Sequence, residues 1–292
     1  MARRLEFKIE SHANGKKIKD FLKHEVGISH RMLCILKREP QGITRNGAHA
    51  RAIDCLHTGD LLVLELPDDE KTSVSTPTKM PLDILYEDAD LLVLNKPAGL
   101  AMHETQNHQG DALSNAVAYY LESRGEAAVF RAVGRLDKGT SGLVVCAKNK
   151  YAACRLAGTI EKTYFAVVCG IFTGKGTVDA PIFRPDAHKT LRAVGNSGEH
   201  AVTHWEALKN DGKCTLMHIQ LETGRTHQIR VHFKHLGAPL VGDDMYESPD
   251  LRLNHQALHC GSCALSHPVT GKKMVFFAPL PDDMAALCTD MG

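Results

Sequence analysis

Between residues 16 and 26 the apolar positions are Ile18, Phe21, Leu22 and Val26, whose spacings of three and four predict one buried face of a helix. Residues 29–38 predict a second helix, with Ser29 as its N-cap. Ile43-Thr44-Arg45-Asn46-Gly47 reads as a strand entering a tight Asn-Gly turn, and residues 61–66 read as a strand that stops at Pro67. Together these predict a compact ααβ-type module over residues 1–67. Residues 68–80 are polar, aperiodic and close to two prolines, and read as a linker.

From residue 82 the pattern changes. Strand-type runs recur at 84–86, 91–94, 142–147, 164–168, 203–208, 215–221, 257–265 and 274–278, and helical spacing interrupts them only near 112–123, 151–160 and 225–236. Strands without a regular βα alternation predict an α+β domain over residues 81–292, with a mixed, mainly antiparallel sheet.

Composition narrows the class. With 292 residues, 43% hydrophobic and 24% charged, the chain is an ordinary folded protein rather than a disordered or collagen-like one. No apolar stretch, that around residues 61–66 included, approaches the ~18–20 residues a membrane helix needs, and no signal-type apolar core follows Arg3 and Arg4. The nine cysteines are odd in number and scattered, and no glycosylation sequon occurs. A cytoplasmic protein without a membrane partner is expected. The net charge of +1 conceals an asymmetry: residues 1–51 hold twelve Lys/Arg against five Asp/Glu, or +7, and the remainder carries −6. The basic helices therefore predict an anion-facing surface, with Lys16, Lys17, Arg31, Lys37 and Arg38 as its cations.

Several segments approach known motifs and fail on spacing. His103 and His108 stand five apart, one too many for a zinc-protease helix. Gly170-Ile171-Phe172-Thr173-Gly174-Lys175-Gly176 is one residue short of a phosphate loop, lacks its Ser/Thr, and reads as a hairpin turn. Cys260 and Cys263 lie in a strand pattern, where positions three apart face opposite sides. His227, His232 and His235 lack a carboxylate at ligand spacing, so helix packing or anion contact is expected of them rather than metal.

Two polar segments carry candidate chemistry. Gly134-Arg135-Leu136-Asp137-Lys138-Gly139-Thr140-Ser141-Gly142 places a lone aspartate in a glycine-rich loop at the entrance of an apolar strand. Thr223-Gly224-Arg225-Thr226-His227-Gln228-Ile229-Arg230 ends one strand and opens a helix, gathering donors near its N-terminus. A turn aspartate and a basic amphipathic helix are the plain readings of these segments, and spacing alone does not bring them together.

The chain resembles the RluA-type pseudouridine synthases. Residues 134–142, with Ala147-Lys148-Asn149, are similar to that family's RLDxxTSG block. Asn95-Lys96-Pro97-Ala98-Gly99-Leu100 with His103, Lys162-Thr163-Tyr164 with Ala166 and Gly170, residues 223–232 with 236–243 and Tyr246, and Leu258-His259 with His267-Pro268 match further blocks in the family's order. The N-terminal module is similar to an S4 RNA-binding domain.

This resemblance implies isomerisation of selected uridines in RNA, ribosomal or transfer, with no cofactor and no metal, by a monomer. It makes Asp137 the catalytic carboxylate, either nucleophile or proton-abstracting group. Arg230 becomes the cation that pairs with Asp137. Tyr164 becomes the tyrosine that stacks on the uracil, and Arg135 the side chain that enters the RNA where the base flips out. Lys96, Arg225 and His227 are expected to contact RNA. Gly134 departs from the histidine that many members carry there, which leaves the target uridine open, and His103 receives no role. A non-catalytic RNA-binding protein acting in RNA folding or ribosome assembly is the alternative; a hydrolase has no partner acid, oxyanion segment or metal site to support it.

Overall fold

The computed structural model describes residues 3–66, 75–105, 109–127, 129–289 and 291. The chain opens with a strand that the polar-apolar pattern does not reveal, β1 (Arg3–Lys8). It pairs antiparallel with β4 (Leu61–Leu66) in a four-stranded sheet completed by β2 (Ile43–Arg45) and β3 (Ala48–His49). The predicted Asn-Gly turn joins β2 to β3, with Asn46 and Gly47 both left-handed at φ 53° and 83°. Against this sheet lie α1 (Ile18–Phe21), whose last turns widen to a π-helix over Leu22–Val26, and α2 (His30–Leu36). Ser29 caps α2 as expected, its hydroxyl accepting from Met32 N at 3.2 Å. Ile18, Leu22, Leu36, Leu62 and Leu64 close a separate small core.

The second body is a nine-stranded sheet. Its members are β5 (Asp83–Glu87), β6 (Leu91–Lys96), β7 (Ser141–Ala147), β8 (Glu161–Cys169), β9 (Lys175–Asp179), β12 (Val202–Asn210), β13 (Cys214–Leu221), β14 (Leu258–Ser266) and β15 (Lys273–Phe277). A two-stranded ribbon, β10 (Ile182–Phe183) with β11 (Ala193–Val194), stands apart from it. Around the sheet lie α3 (Leu113–Ser123), α4 (Lys150–Leu156), α5 (Gln228–His235) and α6 (Asp282–Leu287). The strand order is β5-β6-β7-β14-β8-β13-β12-β9, and β15 takes the free edge of β14 from Ser262 onward. Of the described strand pairs only β7 with β14 is parallel, so the sheet is mixed and mainly antiparallel. Every residue of β7 is buried, as its unbroken apolar run requires of a strand covered on both faces.

Two local expectations fail. The loop at 170–176 is not a hairpin, because β9 pairs with β12 while β8 pairs with β13 and β14. The chain passes over β13 and β12 before rejoining the sheet, and turn residues alone do not say which strand comes next. Cys260 and Cys263 do not face opposite sides: a bulge between Cys260 and Ser262 adds a residue, and both thiols end in the same core.

The two bodies touch through specific contacts. Arg3 of β1 donates twice to Asp90, at 2.9 and 2.7 Å, and Tyr151 of α4 reaches back to the Val26 carbonyl at 3.1 Å. Residues 67–74, most of the expected linker, lie outside the described residues, as do residues 106–108 of the rejected His-Glu segment. The following stretch is pinned: Thr78 N donates to Asn115 O, and the Asn115 amide donates to Thr76 O. Among the described residues no helix is long and apolar enough to cross a membrane.

Candidate active site

Asp137 sits in the loop that feeds β7. The loop closes on itself, Thr140 N donating to Asp137 O at 3.0 Å. It is tied to β14 from two sides: the Gln256 amide donates to the Thr140 hydroxyl at 3.0 Å, and the Ser141 hydroxyl meets His259 Nδ1 at 2.9 Å. One glycine here is required: a Cβ on Gly142, whose φ is 106°, would collide with the Cys260 backbone, whereas one on Gly139 would meet only the movable end of the Gln256 side chain. The glycine-rich spelling thus lets two strands approach closely while holding the aspartate at their mouth.

The second polar segment arrives from the other side. Gln228 organises its corner, accepting from Arg225 N and the Thr223 hydroxyl and donating to Val202 O and Thr203 Oγ1. The helix begins at Gln228, three residues later than the spacing suggests, so Arg225 belongs to the preceding turn. His227 becomes the N-cap, in the left-handed region at φ 59°. From the first turn of α5, Arg230 extends to Asp137, Nη1 to Oδ2 at 3.1 Å. Its other edge forms a two-pronged pair with Asp243, Nε and Nη2 each at 2.7 Å. The guanidinium also lies over the Tyr246 ring, 4.9 Å from its centre. Burial works against the Arg230 charge, but Asp243 and then Asp137 outweigh it and raise its proton affinity above the ordinary value.

Tyr164 of β8 lines the same depression as Asp137, Thr140, Leu136 and Arg230. It is 9% exposed and lies opposite Cys260 in the β8–β14 ladder. Burial, followed by the neighbouring Cys260 and Asp137, pushes its phenol well above the usual range, so at neutral pH it is an uncharged ring with an O–H. His227 Nε2 stands 3.8 Å from Asp137 Oδ2, and its Nδ1 meets the Tyr246 hydroxyl at 2.9 Å. The structure therefore brings Asp137, Tyr164, Arg230 and His227 into one site.

A profile of the RNA pseudouridylate synthase family matches residues 90–235. The chain is 42% identical over 238 residues to an uncharacterised RNA pseudouridine synthase (YhcT) of Bacillus subtilis, covering 79% of this chain and 78% of the relative. It is 39% identical over 260 residues to the ribosomal large subunit pseudouridine synthase D of Pseudomonas aeruginosa, covering 82% and 81%. The chain belongs to the RNA pseudouridylate synthase family. Its fold agrees with solved structures of human RNA pseudouridylate synthase domain containing 1 (TM-score 0.56, 26% identity, 68% of this chain and 83% of that one) and domain containing 4 (TM-score 0.58, 22% identity, 72% and 94%). The RluA-type resemblance and the pseudouridine synthase fold are thereby shown, and the protein is an enzyme that isomerises uridine in RNA rather than a non-catalytic binder.

In this pseudouridine synthase Lys96 is not an RNA-facing cation. It is 1% exposed, and its ammonium is enclosed by the carbonyls of Pro97, Leu100 and Lys138 at 2.9–3.1 Å. It ties the end of β6 to the catalytic loop, and burial pulls its ammonium down to about 7, with Asp137 opposing. Arg225 is partly spent on an ion pair with Glu199, and Lys16 on one with Glu25. Arg135, Lys17, Arg31, Lys37 and Arg38 are exposed. His103, next to Arg135, stands edge-on to Phe130 at 5.1 Å. His232 is a packing histidine, held by Thr203 and the Ala180 carbonyl. Asp243 and Tyr246, which contact Arg230 and His227, are the site residues that the sequence left without a role. They lay inside the segment resembling the family's third block, but nothing in their spacing points to Arg230.

Proposed function

We propose that this synthase acts on uridines of large-subunit ribosomal RNA, with Asp137 starting the rearrangement. The pairing of Asp137 with Arg230 at 3.1 Å, beside an uncharged Tyr164, carries this reading. Arg230 keeps a positive charge against the carboxylate, and Asp243 fixes its direction, so Asp137 meets the sugar already aimed. The uridine must leave its stack to reach this depression, at a cost of a few kcal/mol; Arg135, exposed beside the loop, occupies the gap. Tyr164 offers a face for the flipped uracil.

The reaction is an isomerisation in which nothing is oxidised or lost, so the proposed route uses no cofactor and no metal. Residues 1–67 act as an S4-like module joined by a linker over 68–80 to a catalytic domain from 81 to 292. This module's exposed Lys17, Arg31, Lys37 and Arg38 add sequence-independent grip on phosphates. The ribosomal preference rests on the Pseudomonas aeruginosa relative, and a cytoplasmic monomer fits such a substrate. The test is to treat ribosomal and transfer RNA from cells lacking this gene with the protein and map new pseudouridines. New sites in large-subunit RNA are expected; sites confined to transfer RNA overturn the ribosomal assignment.

A further inference from the structure

We infer that His227 is the N–H donor that receives the uracil as its bond to the ribose breaks. The inference rests on the role proposed above for Asp137, and it begins from an unusual backbone. His227 holds φ 59°, ψ 19° at the start of α5, a left-handed conformation that non-glycine residues rarely adopt and that the surroundings must impose. Tyr246 stands edge-on to the imidazole at 5.8 Å and hydrogen-bonds it at 2.9 Å, which fixes the ring.

Tyr246 Oη accepts from Arg192 N at 3.1 Å and can still donate its own hydrogen to His227 Nδ1, whereas the opposite tautomer would turn a bare Nε2 lone pair toward the Asp137 carboxylate 3.8 Å away. The imidazole proton then sits on Nε2, the atom that faces Asp137. Burial favours the uncharged ring, with Asp137 opposing and Arg230 and Arg192 reinforcing it. The side chain is 9% exposed, so it is a desolvated donor with one open direction, into the site.

Nε2 does not spend this hydrogen on the resting carboxylate. It lies 3.8 Å from Asp137 Oδ2, beyond hydrogen-bond range, while Arg230 Nη1 holds the same oxygen at 3.1 Å. The reaction explains the gap. When the C1′–N1 bond breaks, its electron pair leaves with the uracil. Asp137 gives up its charge at the same stage, its oxygen bonding to the sugar or taking a proton from it. The negative charge therefore moves from Asp137 to the uracil ring. When C5 bonds to C1′ and the C5 proton passes to N1, the carboxylate is returned and the atoms balance. A fixed donor beside Oδ2, unpaired at rest, stabilises the anion more than the ground state, which is the condition for accelerating the step.

Two variants isolate the donor's reach. His227→Asn carries an amide, tolerates left-handed backbone well, and ends short of the Nε2 position; His227→Gln carries the same amide one methylene further out. Single-turnover pseudouridine formation is followed on total RNA from cells lacking the gene, with RNA affinity measured separately. His227→Asn is expected to lose about 10²–10³ in rate, the usual effect of deleting one such donor, with RNA affinity kept within about threefold. His227→Gln should recover at least about tenfold. An Asn variant within about threefold of the wild-type rate, a Gln variant no faster than Asn, or a loss that follows RNA affinity overturns the inference. A wild-type protein that forms no pseudouridine, or an Asp137→Ala variant that still does, instead overturns the reading beneath it.

Discussion

Arg230 divides one guanidinium between two carboxylates, and the division assigns their roles. Asp243, 1% exposed, takes two of its N–H groups and holds it; Asp137 takes a third and keeps its remaining lone pairs for the chemistry proposed for it. Asp243→Ala therefore leaves a 5%-exposed cation with one carboxylate partner, and should cost about 3–5 kcal/mol in urea unfolding along with most of the activity. Lys96 makes a second, pH-dependent prediction. Its ammonium is held near 7 when folded against about 10.4 when unfolded, so between those limits the unfolded chain binds a proton that the folded chain does not. Stability from this residue rises with pH across that window, by about 2 kcal/mol from pH 7 to 9 at most. Urea midpoints of wild type and Lys96→Met at several pH values check it: the substitution should flatten the rise, and parallel curves would refute it. Neither partnership was readable beforehand. A lysine in a loop block reads as a surface cation until its three carbonyl partners are known, and Asp243 lies 13 residues from Arg230 with no periodic relation to it.

At the scale of elements, the site exists because β7 and β14 run parallel only briefly, with His259 and Cys260 opposite Ser141 and Gly142. The absent side chain of Gly142 lets the strands meet there, and the Asp137 loop caps the junction. Gly142→Ala adds a Cβ against the Cys260 backbone in a left-handed conformation, so it should cost more than about 2 kcal/mol and displace the loop. Calorimetry alongside turnover measures both, and a variant of wild-type stability would show that the approach is not required. Most strands of this sheet, and helices α3 and α5, could be read from apolar runs and three-four spacing. The order of the strands could not, because side-chain alternation says which face a residue takes and nothing about its neighbour. The loop at 170–176 was misread for that reason, whereas Cys260 and Cys263 were misread because the bulge at Gly261 breaks the alternation itself. β1 escaped notice because Arg3, Arg4, Glu6 and Lys8 surround its two core-facing apolar residues with charge.

Across the whole molecule, the basic module and the catalytic loop lie at opposite ends of β7: Asp137 precedes the strand, while Lys150 and Tyr151, which meet the module, follow it. Seven residues of strand separate them by roughly 23 Å, so an RNA held at both places must span at least that distance. On the proposal that the N-terminal module binds RNA, the +7 asymmetry visible in the sequence is a second grip on the substrate. Replacing Arg31, Lys37 and Arg38 together by Glu should weaken RNA binding and reduce the slope of log K against log salt by about 2, if each meets one phosphate. An unchanged slope would make these residues a solvated face. The account as a whole depends on one carboxylate. Pseudouridine mapping of total RNA from cells lacking this gene, treated with wild type or with Asp137→Ala, tests it most directly: new pseudouridine with the wild type and none with Asp137→Ala, at matched RNA affinity, is the predicted result, and comparable product from both proteins would contradict it.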